Sequence, residues 1–127
     1  GFAIKMQRAR GVKIGKGCYI GPYVQIDLLY PELVTIEDNV AIGSNSMVFA
    51  HTNSAANLDL KKNHYPRKLE PVLIKSGAWI TPGCIITPGT TIGKNAILSI
   101  GSVAANSIPD NCIAMGNPAR VVKKIDD

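Results

Sequence analysis

His51 is one of only two histidines in the chain, and it stands immediately before a polar stretch, "TNSAANLDLKKNHYPRKLEP", from Thr52 to Pro71. The unperturbed pKa of histidine is about 6.5, so a neutral imidazole that can exchange protons is available near pH 7. His51, which opens the long polar stretch, is therefore the leading candidate for a functional residue. A solvent-exposed histidine without a chemical role is the alternative interpretation.

The histidines and cysteines form no recognisable metal-binding pattern. A three-histidine zinc site needs one histidine more than His51 and His64 provide, so we predict no metal. Cys18, Cys84 and Cys112 are an odd number without metal or redox spacing, which fits a reducing compartment, and we expect a cytoplasmic protein. We interpret Cys18 and Cys84 as packing residues and leave Cys112 unassigned.

An aliphatic residue recurs every six residues on both sides of the polar stretch. One continuous helix, with a period of 3.6, or one strand, with a period of 2, does not produce this spacing. Within each hexad a Gly or Asn, which tolerate positive φ, often follows three positions later. Each hexad is therefore a short strand plus a bend, and three hexads per coil predict an all-β triangular prism, a parallel β-helix. The repeated positions are Ile14, Ile20, Ile26, Ile36, Ile42, Val48, Ile74, Ile80, Ile86, Ile92 and Leu98.

The pattern predicts a single domain over residues 1–127, with repeats at about 12–51 and 72–103 and a short C-terminal segment at 104–127. Two segments interrupt the repeats. The first, "DLLYPEL" at 27–33, is short enough to be a bulge at a corner. The second, 52–71, is predicted to be an extruded loop with a functional role, because long loops on rigid scaffolds tend to carry function.

Charge and hydropathy narrow the classes of partner. The net charge is +5, yet no basic stretch with interleaved aromatics supports nucleic-acid binding, and an anionic small molecule is the simpler partner. No apolar run approaches the ~20 residues that a membrane span requires. We therefore expect no nucleic acid partner and no membrane insertion.

Two longer motifs narrow the interpretation. The segment "IEDNVAIGSNSMVFAH" and the ending "IPDNCIAMGNPAR" resemble the hexapeptide-repeat acyltransferases, in particular the sugar O-acetyltransferases related to the maltose and galactoside enzymes. The resemblance covers Ile14 to about Ile125. It implies a left-handed β-helix, a homotrimer, acetyl-CoA as acyl donor in the groove between subunits, and His51 as the base that activates the acceptor hydroxyl for direct attack.

The resemblance also implies a set of cofactor contacts. Trp79 matches a tryptophan that lines the cleft, although Ile-Gly usually follows it where this chain has Ile80 and Thr81. The relatives often carry Thr-Lys where this chain has Ala105 and Asn106. The residues implied to contact acetyl-CoA are Trp79, Thr81, Ile100, Gly101, Ala105, Asn106, Arg120 and Lys123, of which the last two meet the phosphates.

For the acceptor, Tyr23 and Asp27 are expected to line the cleft from an adjacent subunit, and His64 and Arg67 to contact a sugar or its phosphate. A solvated loop is the alternative for the last two. The N-terminal helical segment typical of the maltose enzymes is not evident, which favours a nucleotide sugar or polysaccharide precursor as acceptor.

Three other functions fit parts of the pattern. A carbonic-anhydrase-like metalloprotein shares the prism but needs the third histidine. A non-catalytic assembly subunit needs only the repeats, and neither His51 nor the "GNPAR" ending. An N-acetyltransferase of an amino sugar, or an acetyltransferase acting on an antibiotic, differs only in its acceptor.

Overall fold

The structure, a computed structural model, describes residues 1–125, so Asp126 and Asp127 of the predicted domain lie outside the described residues. The chain begins with a helix, α1, Phe2–Arg10, which the sequence analysis missed. Ala3 and Ile4 of α1 pack against the core, and its C-terminus is capped by Gly11, whose φ of 114° places it in the left-handed region. Within residues 1–125 no helix combines the length and the apolar character that crossing a bilayer demands.

Short strands make up most of the remaining chain. Two brief helical turns, Pro31–Leu33 and Leu60–His64, lie in the two interruptions of the repeat. The strands in chain order are β1 Lys13–Ile14, β2 Tyr19–Ile20, β3 Gln25–Ile26, β4 Val34–Ile36, β5 Ala41–Ile42, β6 Met47–Val48, β7 His51–Thr52, β8 Lys68–Leu69, β9 Val72–Ile74, β10 Trp79–Ile80, β11 Ile85–Ile86, β12 Thr91–Ile92, β13 Ile97–Leu98, β14 Val103–Ala104, β15 Cys112–Gly116 and β16 Ala119–Lys124.

The strands form three parallel sheets, which are the faces of the predicted prism. Face 1 has the order β1-β4-β9-β12, face 2 the order β2-β5-β10-β13-β15 with β16 at its edge, and face 3 the order β3-β6-β11-β14. From β1 to β6 and from β9 to β14, consecutive strands lie on successive faces, so each of these coils adds one strand to every sheet, and β7 and β8 form a separate two-stranded sheet. The parallel β-helix is confirmed.

The inward stacks follow the six-residue pattern. Ile20, Ile42, Ile80 and Leu98 are in register on face 2, as Ile26, Val48 and Ile86 are on face 3. The predicted inward residues from Ile20 onward are buried, whereas Ile14 at the first coil is only partly buried. Ladders of identical aliphatic shape allow each coil to pack on the next without voids, which is why the spacing is strict.

The bends also follow the sequence pattern. Gly17, Asn39, Asn45, Gly83, Gly89 and Asn95 all adopt positive φ. Tyr23 occupies the equivalent bend position with φ of 62°, an uncommon conformation for a bulky residue, and its side chain is 85% exposed.

The stack continues beyond residue 103, where the last repeat was predicted to end. Ile108 bridges to Ile92 on face 1, and β15 pairs in parallel with β13 on face 2. Strand β16 then reverses direction and pairs antiparallel with β15. The described part of the C-terminal segment, 104–125, therefore includes part of a further coil and a hairpin.

Candidate active site

His51 lies where the second coil leaves the prism. Strand β7 begins at His51 and pairs antiparallel with β8, with His51 opposite Leu69, and Glu70 N–H donates to the carbonyl of Ala50 at 2.8 Å. The two ends of the long loop are thus joined directly beside the histidine. The His51 side chain is 19% exposed, so most of the imidazole is held by protein and a part remains accessible.

Asp27 holds one side of that imidazole. The carboxylate oxygen Oδ2 lies 2.6 Å from His51 Nδ1 and also accepts the N–H of Ala50 at 2.7 Å. The other oxygen, Oδ1, accepts the N–H groups of Leu29 at 3.0 Å and Tyr30 at 2.9 Å. Asp27 is completely buried, and all four of these contacts come from its own chain.

The surroundings of Asp27 keep it ionised. Burial alone would raise the pKa of the carboxyl group, but the hydrogen bonds from His51 and from the N–H groups of Ala50, Tyr30 and Leu29 together outweigh burial and lower the pKa. A carboxylate only accepts hydrogen bonds, so His51 Nδ1 carries the proton in the contact. The lone pair of a neutral His51 then lies on Nε2, the nitrogen that faces away from Asp27.

The predicted role of Asp27 needs correction. It was expected to contact the acceptor from an adjacent subunit, but its carboxylate has no solvent-exposed surface and contacts His51 of the same chain. The coil geometry explains the contact: Asp27 follows β3, and its N–H donates to Val48 on β6 at 2.8 Å, so the next coil brings His51 over it.

Arg10 of helix α1 contacts the same segment from the other side. Its guanidinium donates to the carbonyls of Ile26 at 2.9 Å and Asp27 at 2.7 Å, and to Oε1 of the buried Gln7 at 2.6 Å. The helix therefore fixes the backbone that carries Asp27. Sequence reasoning missed this contact because no local pattern links residue 10 to residue 27.

Tyr30 is a neighbour of His51 that sequence reasoning missed. The two ring centroids are 5.1 Å apart with an interplanar angle of 69°, an edge-to-face contact. Tyr30 precedes the turn Pro31–Leu33, in the interruption interpreted only as a bulge. The sequence signal for this contact was an aromatic residue three positions after Asp27, within the short interruption between the first two coils.

Arg67 approaches from the long loop. Its guanidinium carbon lies 5.4 Å from the centroid of the Tyr30 ring, and its Nη1 donates a hydrogen bond to the Tyr30 hydroxyl. His64 is elsewhere in the loop, where its Nε2 lies 3.6 Å from Asp59 and both side chains are largely exposed. Arg67, but not His64, is connected to His51 by contacts in the structure.

Most of the residues expected at the cofactor lie on another part of the prism. Trp79 projects outward from β10 between Ala41 and Ile97, and its side chain is 51% exposed. Arg120 and Lys123 pair with the outward-facing Met115 and Ile113 on the same sheet, so all share the outer side of face 2.

The remaining cofactor candidates occupy two edges. Thr81 and Gly101 lie on neighbouring coils at the edge between faces 2 and 3, and Ile100, at 74% exposure, precedes Gly101 there. Thr81 Oγ1 donates to the carbonyl of Leu98 at 2.8 Å, and Gly101 N–H to that of Pro82 at 3.1 Å. We call this the Thr81 edge.

Ala105 and Asn106 follow β14 and are exposed at the next edge, between faces 3 and 1. His51 follows β6 at this same edge, which we call the His51 edge. One chain therefore brings Ala105 and Asn106 to the side of the prism where His51 lies, but it places Trp79, Thr81, Ile100 and Gly101 around a different edge.

Two of the three cysteines, which are potentially reactive groups, lie in the interior of the protein. Cys84 is completely buried, with Sγ 3.2 Å from the carbonyl of Ser99, and Cys112 is buried as well. Among residues 1–125, no three His, Cys, Asp or Glu side chains come together in a way that could hold a metal ion.

Comparison with known proteins gives related sequences and folds, although no family model matches the chain. It is 33% identical over 116 residues to the galactoside O-acetyltransferase of Escherichia coli K12, which covers 91% of this chain and 55% of that protein. The chain thus spans about half the length of the curated relatives it matches.

Two solved structures show the same fold. A maltose O-acetyltransferase from Clostridium difficile 630 matches with a TM-score of 0.68 and 28% identity, over 98% of this chain and 75% of that one. A galactoside acetyltransferase in complex with coenzyme A matches with a TM-score of 0.77 and 26% identity, over 98% of this chain and 70% of that one. In sequence and in its left-handed parallel β-helix, the chain is similar to the hexapeptide-repeat acyltransferases, in particular to the galactoside and maltose O-acetyltransferases.

Proposed function

We propose that the protein is an acetyl-CoA-dependent O-acetyltransferase that acts on a hydroxyl of a sugar, a nucleotide sugar or a polysaccharide precursor. The observation that carries the proposal is the contact between His51 and the ionised, buried Asp27. A carboxylate on Nδ1 fixes the ring and its tautomer, and leaves Nε2 to accept a proton. The named relatives act on galactosides and maltose, which supports a sugar acceptor.

In the proposed mechanism, His51 Nε2 removes the proton from the acceptor hydroxyl as its oxygen attacks. Acetyl-CoA supplies the acetyl group, and CoA leaves as its thiol. Asp27 stabilises the positive charge that His51 gains, because it lies 2.6 Å away with no water between them. His51 then returns the proton to the leaving sulfur. A cysteine nucleophile is not part of this mechanism. Cys84 and Cys112 are buried, and the partly buried Cys18 lies at the edge between faces 1 and 2, a different edge from that of His51.

The outer side of face 2 offers groups that suit acetyl-CoA. Trp79 provides an exposed aromatic surface, and Arg120 and Lys123 provide exposed cations on the same sheet. Cations of this kind fit phosphates, and the apolar surface fits the pantetheine arm and the adenine. The family's solved galactoside enzyme holds coenzyme A, which supports the assignment.

The first prediction concerns the base. Replacing His51 with Ala should lower turnover by ~10²–10⁴, the usual contribution of a positioned base, with little change in acetyl-CoA affinity. Release of CoA thiol during an acceptor screen measures turnover, and Cys84→Ala serves as control. Turnover of His51→Ala within about threefold of the parent would exclude His51 from the mechanism.

The second prediction concerns Asp27. Because its folded pKa is lowered, its stabilising contribution is complete above the ordinary carboxyl pKa of about 4 and is lost as the pH falls through the folded value. Asp27→Asn should reduce the free energy of unfolding by about 1.5–3 kcal/mol at neutral pH and flatten this acid dependence. Urea unfolding at a series of pH values measures it.

Asp59→Asn is the matched control for Asp27→Asn, because it makes the same chemical change at a carboxylate that is 74% exposed. Its unfolding curve should follow that of the parent at every pH. An Asp27→Asn protein with the parent's stability and acid dependence would show that the buried carboxylate is not ionised.

The third prediction concerns assembly. The His51 edge and the Thr81 edge of one chain are different edges of the prism, so one complete site needs the His51 edge of one copy and the Thr81 edge of another. The exposed Tyr19 and Trp79, on the outer side of face 2, add apolar surface for such a contact. We propose a homotrimer, and sedimentation at micromolar concentration should give three times the 13.5 kDa chain mass. A monomer at that concentration would contradict it.

The fourth prediction concerns the cofactor cations. Arg120→Glu or Lys123→Glu should weaken acetyl-CoA binding, and the difference from the parent should shrink at high salt because the contacts are exposed. Calorimetric titration at low and high salt measures this. Lys13→Glu is the control, since Lys13 is an exposed residue on face 1. Equal affinity of all three variants and the parent at low salt would place the cofactor elsewhere.

A further inference from the structure

The long loop brings one cation against the neighbours of His51. Arg67 immediately precedes β8, whose residues Lys68 and Leu69 pair with Thr52 and His51. The Tyr30 ring is 5.1 Å from the His51 ring and 5.4 Å from the Arg67 guanidinium carbon. The Arg67 guanidinium carbon is therefore no farther from the centre of the His51 ring than the sum of these two distances. A charged substituent on the reacting sugar ring extends over the same range.

The contacts of Arg67 fix its guanidinium without neutralising it. Nη1 donates to the Tyr30 hydroxyl, and the ring of Tyr30 lies beneath the cation. Within residues 1–125, the only side-chain ion pairs at 4 Å or less are His51 with Asp27 and His64 with Asp59, so no carboxylate of the described chain pairs with Arg67. An exposed, positioned and unpaired guanidinium keeps N–H groups for a ligand.

The rest of the loop has the same sign of charge. Its cationic residues, besides His64, are Lys61, Lys62, Arg67 and Lys68, and its carboxylates are Asp59 and Glu70. Excess positive charge beside a reactive site attracts anions and disfavours cations. The loop that frames His51 is therefore electrostatically suited to an anionic molecule, independently of the Arg67 geometry.

We propose that the acceptor is an anionic sugar, with a carboxylate or phosphate group close to the hydroxyl that is acetylated, and that Arg67 is the residue that selects it. This inference rests on the proposed function and names the substrate class of the same site. The planar guanidinium binds either anion through paired N–H donors, and Tyr30 sets its orientation. With the anion on Arg67, a neighbouring hydroxyl of the same sugar reaches His51 Nε2.

A purely structural role for Arg67 predicts a different result. If Arg67 only held the loop against Tyr30, its loss would disturb the site in the same way for every acceptor. If Arg67 binds the anion, its loss affects charged acceptors and spares neutral ones of the same ring structure. Comparison of matched acceptors therefore separates the two roles.

The test uses glucose, glucose 6-phosphate and glucuronate as probes, with the parent, Arg67→Ala, Arg67→Lys and Lys94→Ala. Lys94 is the control because it is an exposed cation at the edge between faces 1 and 2, whereas the loop leaves the prism at the His51 edge. Two readouts are taken: binding of each probe by saturation-transfer NMR titration, and kcat/KM from CoA thiol release. The phosphate and carboxylate arms show which anion the site accepts.

The parent should bind at least one charged probe more tightly than glucose. Arg67→Ala should weaken binding and kcat/KM for that probe by about 10- to 100-fold, the loss expected for a charge-assisted hydrogen bond, and change the values for glucose by less than about twofold. Arg67→Lys should give values between those of the parent and Arg67→Ala, since lysine keeps the positive charge but loses the paired N–H donors of the guanidinium. Lys94→Ala should match the parent.

Two results overturn the inference: glucose binding as tightly as both charged probes, or an equal loss for charged and neutral probes in Arg67→Ala. Either can occur while acetyl transfer that depends on His51 persists, and the proposed function then stands without it. Conversely, anion binding that depends on Arg67, without CoA release on any probe, would overturn the assignment of these anionic sugars as acceptors, whereas the proposed function is tested separately by the His51-dependent CoA release of the acceptor screen.

Discussion

The buried charge of Asp27 is the constraint around which the site is built. A carboxylate without solvent contact is costly unless its oxygens are fully hydrogen bonded, and here four N–H groups meet that need. Two of the donors, from Leu29 and Tyr30, curl the first interruption back on itself. The other two, from Ala50 and His51, belong to the next coil. Satisfying one charge therefore shapes the interruption and orients the imidazole at once.

The repeat supplies the positional accuracy for this arrangement. Ile26 and Val48 stack in register on face 3, so the residues that follow them leave the prism at the same edge, one coil apart. Both interruptions begin at that edge. The repeat fixes the position of their first residues, and the chain leaves the repeat only after these residues. Catalytic groups that start from rigid strands vary little in position, and this matters because proton transfer requires hydrogen-bond distances.

How much of this was predictable depends on the range of the interactions. The inward ladder from Ile74 to Leu98 and the positive-φ bends are local and periodic, and the sequence alone identifies them. His51 could be singled out by its place before the loop. Asp27, Tyr30 and Arg10 act through contacts that depend on coil stacking and on an unexpected helix. The contacts of Asp27 with His51 and of Arg10 with the Ile26 and Asp27 carbonyls join residues 16 or more positions apart, so spacing along the chain does not reveal these contacts.

The reversal of direction at β16 has a consequence for how copies of the prism can meet. A stack of parallel coils ends in open strand edges, and such edges can template the addition of further strands without limit. At the first coil, helix α1 lies against that end, with Ala3, Ile4 and Gln7 turned toward it. At the far side of face 2, the antiparallel β16 presents Arg120, Lys123 and Lys124 along its edge. Because like charges repel, these cations oppose the end-to-end association of copies and therefore growth into fibres. The flat faces of the prism stay open to lateral contact.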